Sequence, residues 1–240
     1  MKIPAIKGVI RRRLLLNYRV SPEIVQSHLP KNFRLKLVNG QAIAGICLIR
    51  LEQVRPTFLP AFTGISSENS AHRVAVEWDD KNGLKKEGVF VPRRDTDSLL
   101  NSLAGGRIFP GVHHHSRFEV TDQKGEISIM ISSDDKPLVE VQAKECESFP
   151  EKSIFGSFQE SSRFFENGCI GYSSRPHSAR LDGLRLNVPN WQASPLKVLE
   201  IKSSYFDNSD LFPPGTITFD HGLLMRDIPH EWHSEPELNA

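Results

Sequence analysis

Apolar and polar residues alternate over many short stretches of this chain, and Gly, Pro, Asn or Asp bounds most of them. Alternation with a period of two is typical of strands that bury one face. It predicts strands over residues 10–20, 34–38, 42–54, 72–78, 88–91, 111–120, 126–132, 138–143, 178–186, 196–205 and 216–225. Asn39-Gly40 and Asn82-Gly83 stand between such stretches and predict hairpin turns, because Asn-Gly adopts positive φ angles at low cost.

Three stretches carry helix signals instead of alternation. A Ser-Pro-Glu start and a later proline predict a helix over residues 22–29. Acidic residues at its start and a Gly-Gly pair at its end predict a second helix over residues 97–104. A third helix is expected over residues 158–166, between a serine and an Asn-Gly pair.

Many strands with a few isolated helices argue against alternating βαβ units. We therefore expect a mainly β fold, with a large and mostly antiparallel sheet or barrel and helices that cover its outside or one end. Residues 1–240 are assigned to a single domain, and only the tail from about residue 228 is expected to be loosely ordered.

Charge and composition exclude several classes of function. Lys and Arg number 30 and Asp and Glu 29, so the net charge of +1 offers no basic field for nucleic acid or an anionic membrane. No apolar run approaches the ~20 residues of a membrane-spanning helix, and no signal peptide is expected. The three cysteines are widely and irregularly spaced, which favours reduced core thiols over disulfides or zinc sites. We expect a cytoplasmic protein without a cofactor.

Residues 88–120 combine a strand, an Asp-x-Asp helix start, a Gly-Arg turn and a proline-containing entry into a second strand. This arrangement resembles acetoacetate decarboxylase and its wider superfamily. The strand and Ser-Pro-Glu helix of residues 14–29, and also Glu68, are similar to that family, while later segments look like an uncharacterised branch of it. The resemblance implies a cone-like β-barrel with a few covering helices and a cavity for a small molecule.

The resemblance fails at the family's reactive amine. There the second strand begins Phe-Pro-Lys-Lys, and the first lysine forms a Schiff base with a β-keto acid. Counting from Gly106-Arg107 puts that pair at about His114-His115 of this chain. Imidazole forms no stable imine with a ketone, so the sequence predicts the fold without Schiff-base decarboxylation. Lys85-Lys86 lies in a polar hairpin and is expected to be solvated.

The run His113-His114-His115 is the main candidate for chemistry. If residues 111–120 form one strand, His114 shares a face with Val112 and Phe118, and that apolar face predicts His114 in the cavity. It would act there as a general base, a general acid or a hydrogen-bond donor, or else be a core histidine bonded to the backbone. On the opposite face, His113 and His115 are either metal ligands together with a group such as His72, or surface imidazoles.

Charged residues complete the candidate site. One guanidinium of Arg93 and Arg94 is predicted to hold a carboxylate at the cavity mouth, and the other to pair with an aspartate. Glu68 is predicted to share proton transfer with His114, or else to be an exposed loop carboxylate. The set comprises His114 and Glu68 as catalytic groups and Arg93, Arg94, His113 and His115 as substrate-binding groups, without a metal. Arg11 or Arg13 is a further candidate for a pocket arginine.

Three functions remain open at this point. The first is binding of a keto acid or another carbonyl or carboxylate compound in the barrel, with lyase or hydratase chemistry through His114. The second is a non-catalytic binding protein that uses the same cavity. The third is a histidine-dependent metal hydrolase. A homo-oligomer is compatible with each of them.

Overall fold

A computed structural model describes residues 5–99, 111–175 and 177–239 of the chain. Most of the expected helix over residues 97–104, together with Gly106-Arg107, lies outside the described residues. The strands are β1 (Ile6–Val20), β2 (Arg34–Leu35), β3 (Leu37–Val38), β4 (Gln41–Pro56), β5 (Ile65–Asp79), β6 (Lys85–Thr96), β7 (His113–His115), β8 (Arg117–Gln123), β9 (Glu126–Ser133), β10 (Lys136–Glu145), β11 (Ile170–Ser174), β12 (Arg180–Asn187), β13 (Ser194–Ser203) and β14 (Ile217–Asn239). Helix α1 covers Pro22–Gln26, helix α2 covers Phe158–Asn167, and a 3-10 turn covers Ala61–Thr63.

Seven strands form a closed circuit of hydrogen-bonded neighbours, in the order β1, β4, β5, β6, β11, β12 and β14, and β14 pairs back onto β1. All of these pairings are antiparallel except the one between β6 and β11. Strands β13, β10, β9 and β8 continue the sheet from β14 as further antiparallel neighbours. The predicted mainly β fold with a large, mostly antiparallel sheet is confirmed.

The two faces of the circuit have different neighbours. Leu14 and Leu16 of β1 belong to one buried cluster with Ile129 of β9 and Val141 of β10, so this face packs against the continuation of the sheet. The alternate residues of β1, such as Leu15, point to the opposite, inner face, where they cluster with aromatic residues of and near α2. A side chain therefore reaches the inside of the circuit only if its position in the strand has the right parity.

The segment from residue 228 was expected to be loosely ordered, and the structure instead places it in the second half of β14. Trp232 pairs with Ile6 of β1 and with Leu186 of β12. Charged residues do not loosen this segment, because they face arginines of β12: Glu235 Oε1 lies 2.5 Å from the Nε of Arg185. Cross-strand ion pairs of this kind are compatible with a regular sheet edge.

The short elements follow the local sequence signals. Asn39 and Gly40 have φ angles of 46° and 78° and join β3 to β4 as a two-residue hairpin turn. Ser157 caps α2, since its side chain accepts a hydrogen bond from the amide of Glu160. The predicted third helix is thereby confirmed, whereas α1 ends at Gln26, before the expected residue 29. Among the described residues, no helix is long and apolar enough to cross a membrane.

Candidate active site

A cavity of about 140 Å³ lies inside the closed circuit, and all seven strands contribute to its wall. An engineered cavity of about 150 Å³ holds a benzene molecule, so this one has room for a compound of roughly six non-hydrogen atoms. Its apolar wall consists of Ile49, Leu51, Ala71, Val89, Val91, Leu184, Leu186 and Trp232. Its polar wall consists of Arg13, Cys47, Asn69, Ser70, Arg73, Arg94, Asp95, His113 and Cys169.

Arg13 reaches the cavity from β1. Its Nε donates a hydrogen bond to the Sγ of Cys47 at 3.2 Å, and its Nη1 lies 3.8 Å from the Sδ of Met225. The guanidinium carbon lies 5.7 Å from the ring centroid of Trp191. The contacts with Cys47 and Met225 are both to sulfur, which is a weak acceptor. Within the described part of the chain, none of the five N–H groups of Arg13 has a carboxylate or carbonyl partner.

Arg73 projects from β5 and is 4% exposed. Its Nη2 donates to the Oδ1 of Asn17, its guanidinium carbon lies 4.6 Å from the ring centroid of Phe165, and its Nε has no hydrogen-bond partner among the described residues. Burial lowers the pKa of Arg73 to about 10, which leaves the side chain charged at neutral pH. Arg73 is therefore a buried cation with spare donor capacity.

Asn17 links Arg73 to a buried histidine. Because its Oδ1 must face the guanidinium, its Nδ2 points to the Nε2 of His221 at 3.0 Å, and that nitrogen must accept. The ring proton of His221 is then on Nδ1, which donates to the Oδ2 of Asp220 at 2.6 Å. Burial lowers the pKa of His221, in agreement with a neutral ring. Arg73 is thus held in place by a chain of hydrogen bonds that ends at Asp220.

Arg94 enters the cavity from β6. Its Nε donates a hydrogen bond to the Oγ of Ser173 at 3.3 Å, and this is its one hydrogen bond to the described residues. Burial lowers its pKa to about 10, so it too is charged at neutral pH. Together with Arg13 and Arg73 it makes the wall strongly positive. Among the described wall residues, Asp95 is the single acidic one, and it is already paired with Arg93.

His113, and not His114, is the histidine that lines the cavity. Burial, followed by the charge of Arg94, lowers the pKa of His113 to about 4, so the imidazole is neutral at pH 7. His114 and His115 are exposed, and neither belongs to the cavity wall. The prediction that His114 faces the cavity is therefore wrong.

The error arises because residues 111–120 are not one strand. β7 pairs with β6 in parallel, β8 pairs with β9, and the two strands are separated at Ser116, whose Oγ donates to the buried Asp95 at 3.2 Å. Alternation does not carry across such a break. Phe118 is partly buried as its position on β8 requires, while Val112 is 48% exposed and marks no buried face on β7.

Glu68 is absent from the cavity wall. It is buried against Arg12, whose Nη2 donates to its Oε2 at 2.7 Å, on the face of β1 that points out of the circuit. Burial raises the pKa of Glu68, and the charge of Arg12 opposes this shift. The predicted proton-transfer pair of Glu68 and His114 is not formed.

Of the two adjacent arginines of β6, Arg93 pairs with an aspartate and Arg94 lines the cavity. Arg93 forms a bidentate pair with the buried Asp95, with Nη2 2.8 Å from Oδ1, and is not part of the cavity wall. Arg94 forms no such pair with the described residues and lines the cavity. On β1, Arg13 is the cavity arginine, whereas Arg11 is exposed and bonds to Glu52.

Residues 9–220 match the family model of DUF2071, which is described as an uncharacterized conserved protein. The chain belongs to the DUF2071 family. A comparison with curated proteins finds no match.

Solved structures share the fold of this DUF2071 protein. An acetoacetate decarboxylase from Legionella pneumophila superposes with a TM-score of 0.66 at 13% identity, over 98% of this chain and 88% of that one. An acetoacetate decarboxylase-like enzyme from Sphingomonas wittichii RW1 gives 0.63 at 12% identity, over 99% and 93%. The enduracididine biosynthesis enzyme MppR, in complex with pyruvate, gives 0.60 at 11% identity, over 100% and 91%. The acetoacetate decarboxylase-like fold expected from the sequence is confirmed.

Several wall residues of the DUF2071 protein escaped sequence reasoning. Arg73 was visible only as a charge in a strand, and Cys47 and Cys169 only as presumed core thiols. Trp232 lay in the stretch expected to be loose. For Cys47 and Arg73 the signal would have been the cross-strand register. Cys47 lies opposite Leu15, and Arg73 lies two residues beyond Ala71, the partner of Cys47. The sequence alone does not contain these pairings. No lysine lines the cavity within the described residues, and these contain no group of three His, Cys, Asp or Glu that could hold a metal ion.

One buried cluster has the hydrogen bonds of a hydrolase triad, but a substrate cannot reach it. The Oγ of Ser161 in α2 lies 2.7 Å from the Nε2 of His221, which in turn bonds to Asp220. Ser161 and His221 are both 0% exposed, and neither lines the cavity. A nucleophile must meet its substrate, so the cluster fixes α2 to β14 rather than performing hydrolysis.

Proposed function

We propose that this protein binds a small carboxylate, and specifically a 2-oxo acid, in the cavity of its closed circuit. One observation carries the proposal: Arg13, Arg73 and Arg94 converge on a mostly apolar cavity without a carboxylate partner among the described residues. Burying a cation without a counter-charge is costly, and a bound anion supplies one. The size of the cavity suits a molecule such as pyruvate, which has six non-hydrogen atoms.

The fold neighbours agree with this choice of ligand class. MppR shares the fold and is described in complex with pyruvate. Guanidinium groups suit a carboxylate because they donate parallel, charge-assisted hydrogen bonds to its two oxygens. The absence of a lysine from the described wall argues for binding without a Schiff base.

Calorimetric titration with pyruvate and with its neutral methyl ester tests the proposal. Pyruvate should bind at least about tenfold more tightly, since a hydrogen bond to a charged group contributes about 1.5 kcal/mol or more. The ester has nearly the same shape and keeps the oxo group, so it is a matched control. Equal affinity for acid and ester, or no binding of either, would contradict the proposal.

A second function, proton transfer next to the oxo group of the bound acid, is favoured by His113. Its imidazole is neutral and lies on the wall beside Arg94, whose charge would stabilise an enolate. This chemistry would suit a hydratase or another lyase that transfers a proton without decarboxylation.

We expect the protein to accelerate exchange of the methyl protons of pyruvate in D₂O, followed by proton NMR. The His113→Gln variant should exchange about 100-fold more slowly, the usual contribution of one general base. His114→Gln is the matched control and should behave as the unmodified protein, because His114 is exposed. Unchanged exchange in His113→Gln would remove His113 from this role, and no acceleration by the unmodified protein would leave binding alone.

A further inference from the structure

The thiol of Cys47 is placed where a bound oxo acid would meet it. Cys47 lies on β4 between Leu15 of β1 and Ala71 of β5, is 7% exposed, and lines the cavity. Its sulfur accepts the 3.2 Å hydrogen bond from the Nε of Arg13. The thiol is thus a soft nucleophile that packs at the edge of an apolar cluster and contacts one of the cavity arginines.

Three arginines from β1, β5 and β6 line the same cavity as this thiol. Burial lowers the pKa of Arg73 and of Arg94 to about 10, so both keep their positive charge at neutral pH. Independently, the Nε of the buried Arg73 has no partner among the described residues, which points to an anionic ligand in the same cavity.

We propose that Cys47 binds its ligand covalently, by reversible addition of Sγ to the oxo carbon of the carboxylate held by the arginines. A carbon–sulfur bond forms, the π bond of the carbonyl breaks, and the thiol proton ends on the former oxo oxygen. The product is a hemithioketal, and no oxidant or leaving group is needed. The inference rests on the proposed binding of a 2-oxo acid and adds the group that holds it.

Cys169 supplies a matched control within the same cavity. Its Sγ donates to the carbonyl oxygen of Glu166 at 2.7 Å, and burial raises the pKa of its thiol. The raised pKa keeps this thiol protonated, and its proton is used in the hydrogen bond to Glu166. Cys146 is a free cysteine outside the cavity wall, and it serves as the reference thiol of the same chain.

Carbon-13 NMR with pyruvate labelled at its oxo carbon tests the proposal. In the unmodified protein, the bound oxo carbon should move from the ketone region to the region of tetrahedral carbons. The shifted signal should disappear in Cys47→Ala and persist in Cys169→Ala, with circular dichroism to confirm that both variants fold. If calorimetry shows binding while the label stays in the ketone region, the covalent step is wrong and the proposed function stands. If pyruvate does not bind at all, both fail.

Alkylation of the unmodified protein gives a test that needs no variant. Mass spectrometry resolves the rate at each cysteine with anionic iodoacetate and with neutral iodoacetamide. Relative to Cys146, Cys47 should favour iodoacetate by on the order of tenfold, because the arginines concentrate the anion. A saturating concentration of pyruvate should suppress this reaction. Equal preferences at Cys47 and Cys146 would overturn the role of the arginines in directing ligands to this thiol.

Discussion

Replacing Arg94 by methionine should lower the affinity for pyruvate by roughly 10- to 100-fold and leave the free energy of unfolding unchanged or higher. Arg94 lines the cavity, and its single hydrogen-bond partner among the described residues is the neutral Ser173. Methionine retains much of the side-chain volume and removes a buried charge. The protein should therefore lose a binding group without losing an interaction that stabilises the ligand-free fold.

The neighbouring Arg93→Met variant should show the reverse behaviour. Arg93 is bonded to Asp95, which is 1% exposed and also accepts from Ser70 and Ser116. Loss of the guanidinium leaves a buried carboxylate with the two serine hydroxyls as its remaining described partners, which should cost only about 2–3 kcal/mol of stability because Arg93 is partly exposed. Pyruvate affinity should stay within about twofold, because Arg93 does not reach the cavity.

Calorimetry for affinity and urea unfolding for stability measure the two effects on the same samples. The decisive result is that Arg94→Met loses affinity but not stability, while the neighbouring Arg93→Met loses stability but not affinity. If Arg94→Met keeps its affinity, or if folded Arg93→Met loses affinity to the same extent, the placement of the anion site is wrong.

Mild acid should unfold this protein steeply. His72 and His230 are each 2% exposed, and burial lowers the pKa of both to about 4. The unfolded chain takes up protons near the ordinary histidine pKa of about 6.5, whereas the folded protein does not. The stability that these neutral rings provide is therefore complete above about pH 6.5 and is lost as the pH falls toward 4.

Each buried histidine contributes a slope of about 1.4 kcal/mol per pH unit within that window. His72 and His230 together should lower the free energy of unfolding by about 3 kcal/mol per pH unit, and the lowered pKa values of His113 and His221 act in the same direction. Glu68 acts oppositely, since its raised pKa favours the folded state as the pH falls.

Urea unfolding at a series of pH values between 7 and 4 measures this slope. The His230→Leu variant should reduce it by about 1.4 kcal/mol per pH unit, because one titrating ring is removed while its packing against Trp232 is largely kept. Replacement of the exposed His114 serves as the control for loss of a histidine outside the core. A stability that is flat between pH 6.5 and 4.5 would contradict the assignment of neutral buried rings.

The local parts of the fold could be predicted from the sequence because their causes are local. The Asn39-Gly40 turn depends on two residues that accept positive φ, and α2 depends on the cap at Ser157. Alternation likewise located most strands. None of these signals contains the pairing of β1 with β14, which joins the two ends of the chain.

The candidate site was harder to predict because one register irregularity changes which side chains face inward. The break at Ser116 exchanges His114 for His113, and the irregularity after Ile10 separates Arg12 from the inner face that Arg13 occupies. Glu68 shows the same limit, since it is buried, as one of its two predicted roles required, but it lies next to Arg12 on the outer face. Residue type indicated the chemistry, while the direction of each side chain required the register.

Closure of the circuit has a consequence for how the chain is made. Arg11 and Asp227 form an ion pair although 216 residues separate them, and the same two strands, β1 and β14, complete the cavity wall. At a synthesis rate of about 5–20 residues per second, β1 waits roughly 10 to 40 seconds for the strand that covers its edge. During that interval a long apolar edge is available for wrong pairing. Yield in the cell should therefore depend on chaperones that shield nascent chains, even for variants whose final stability is unchanged.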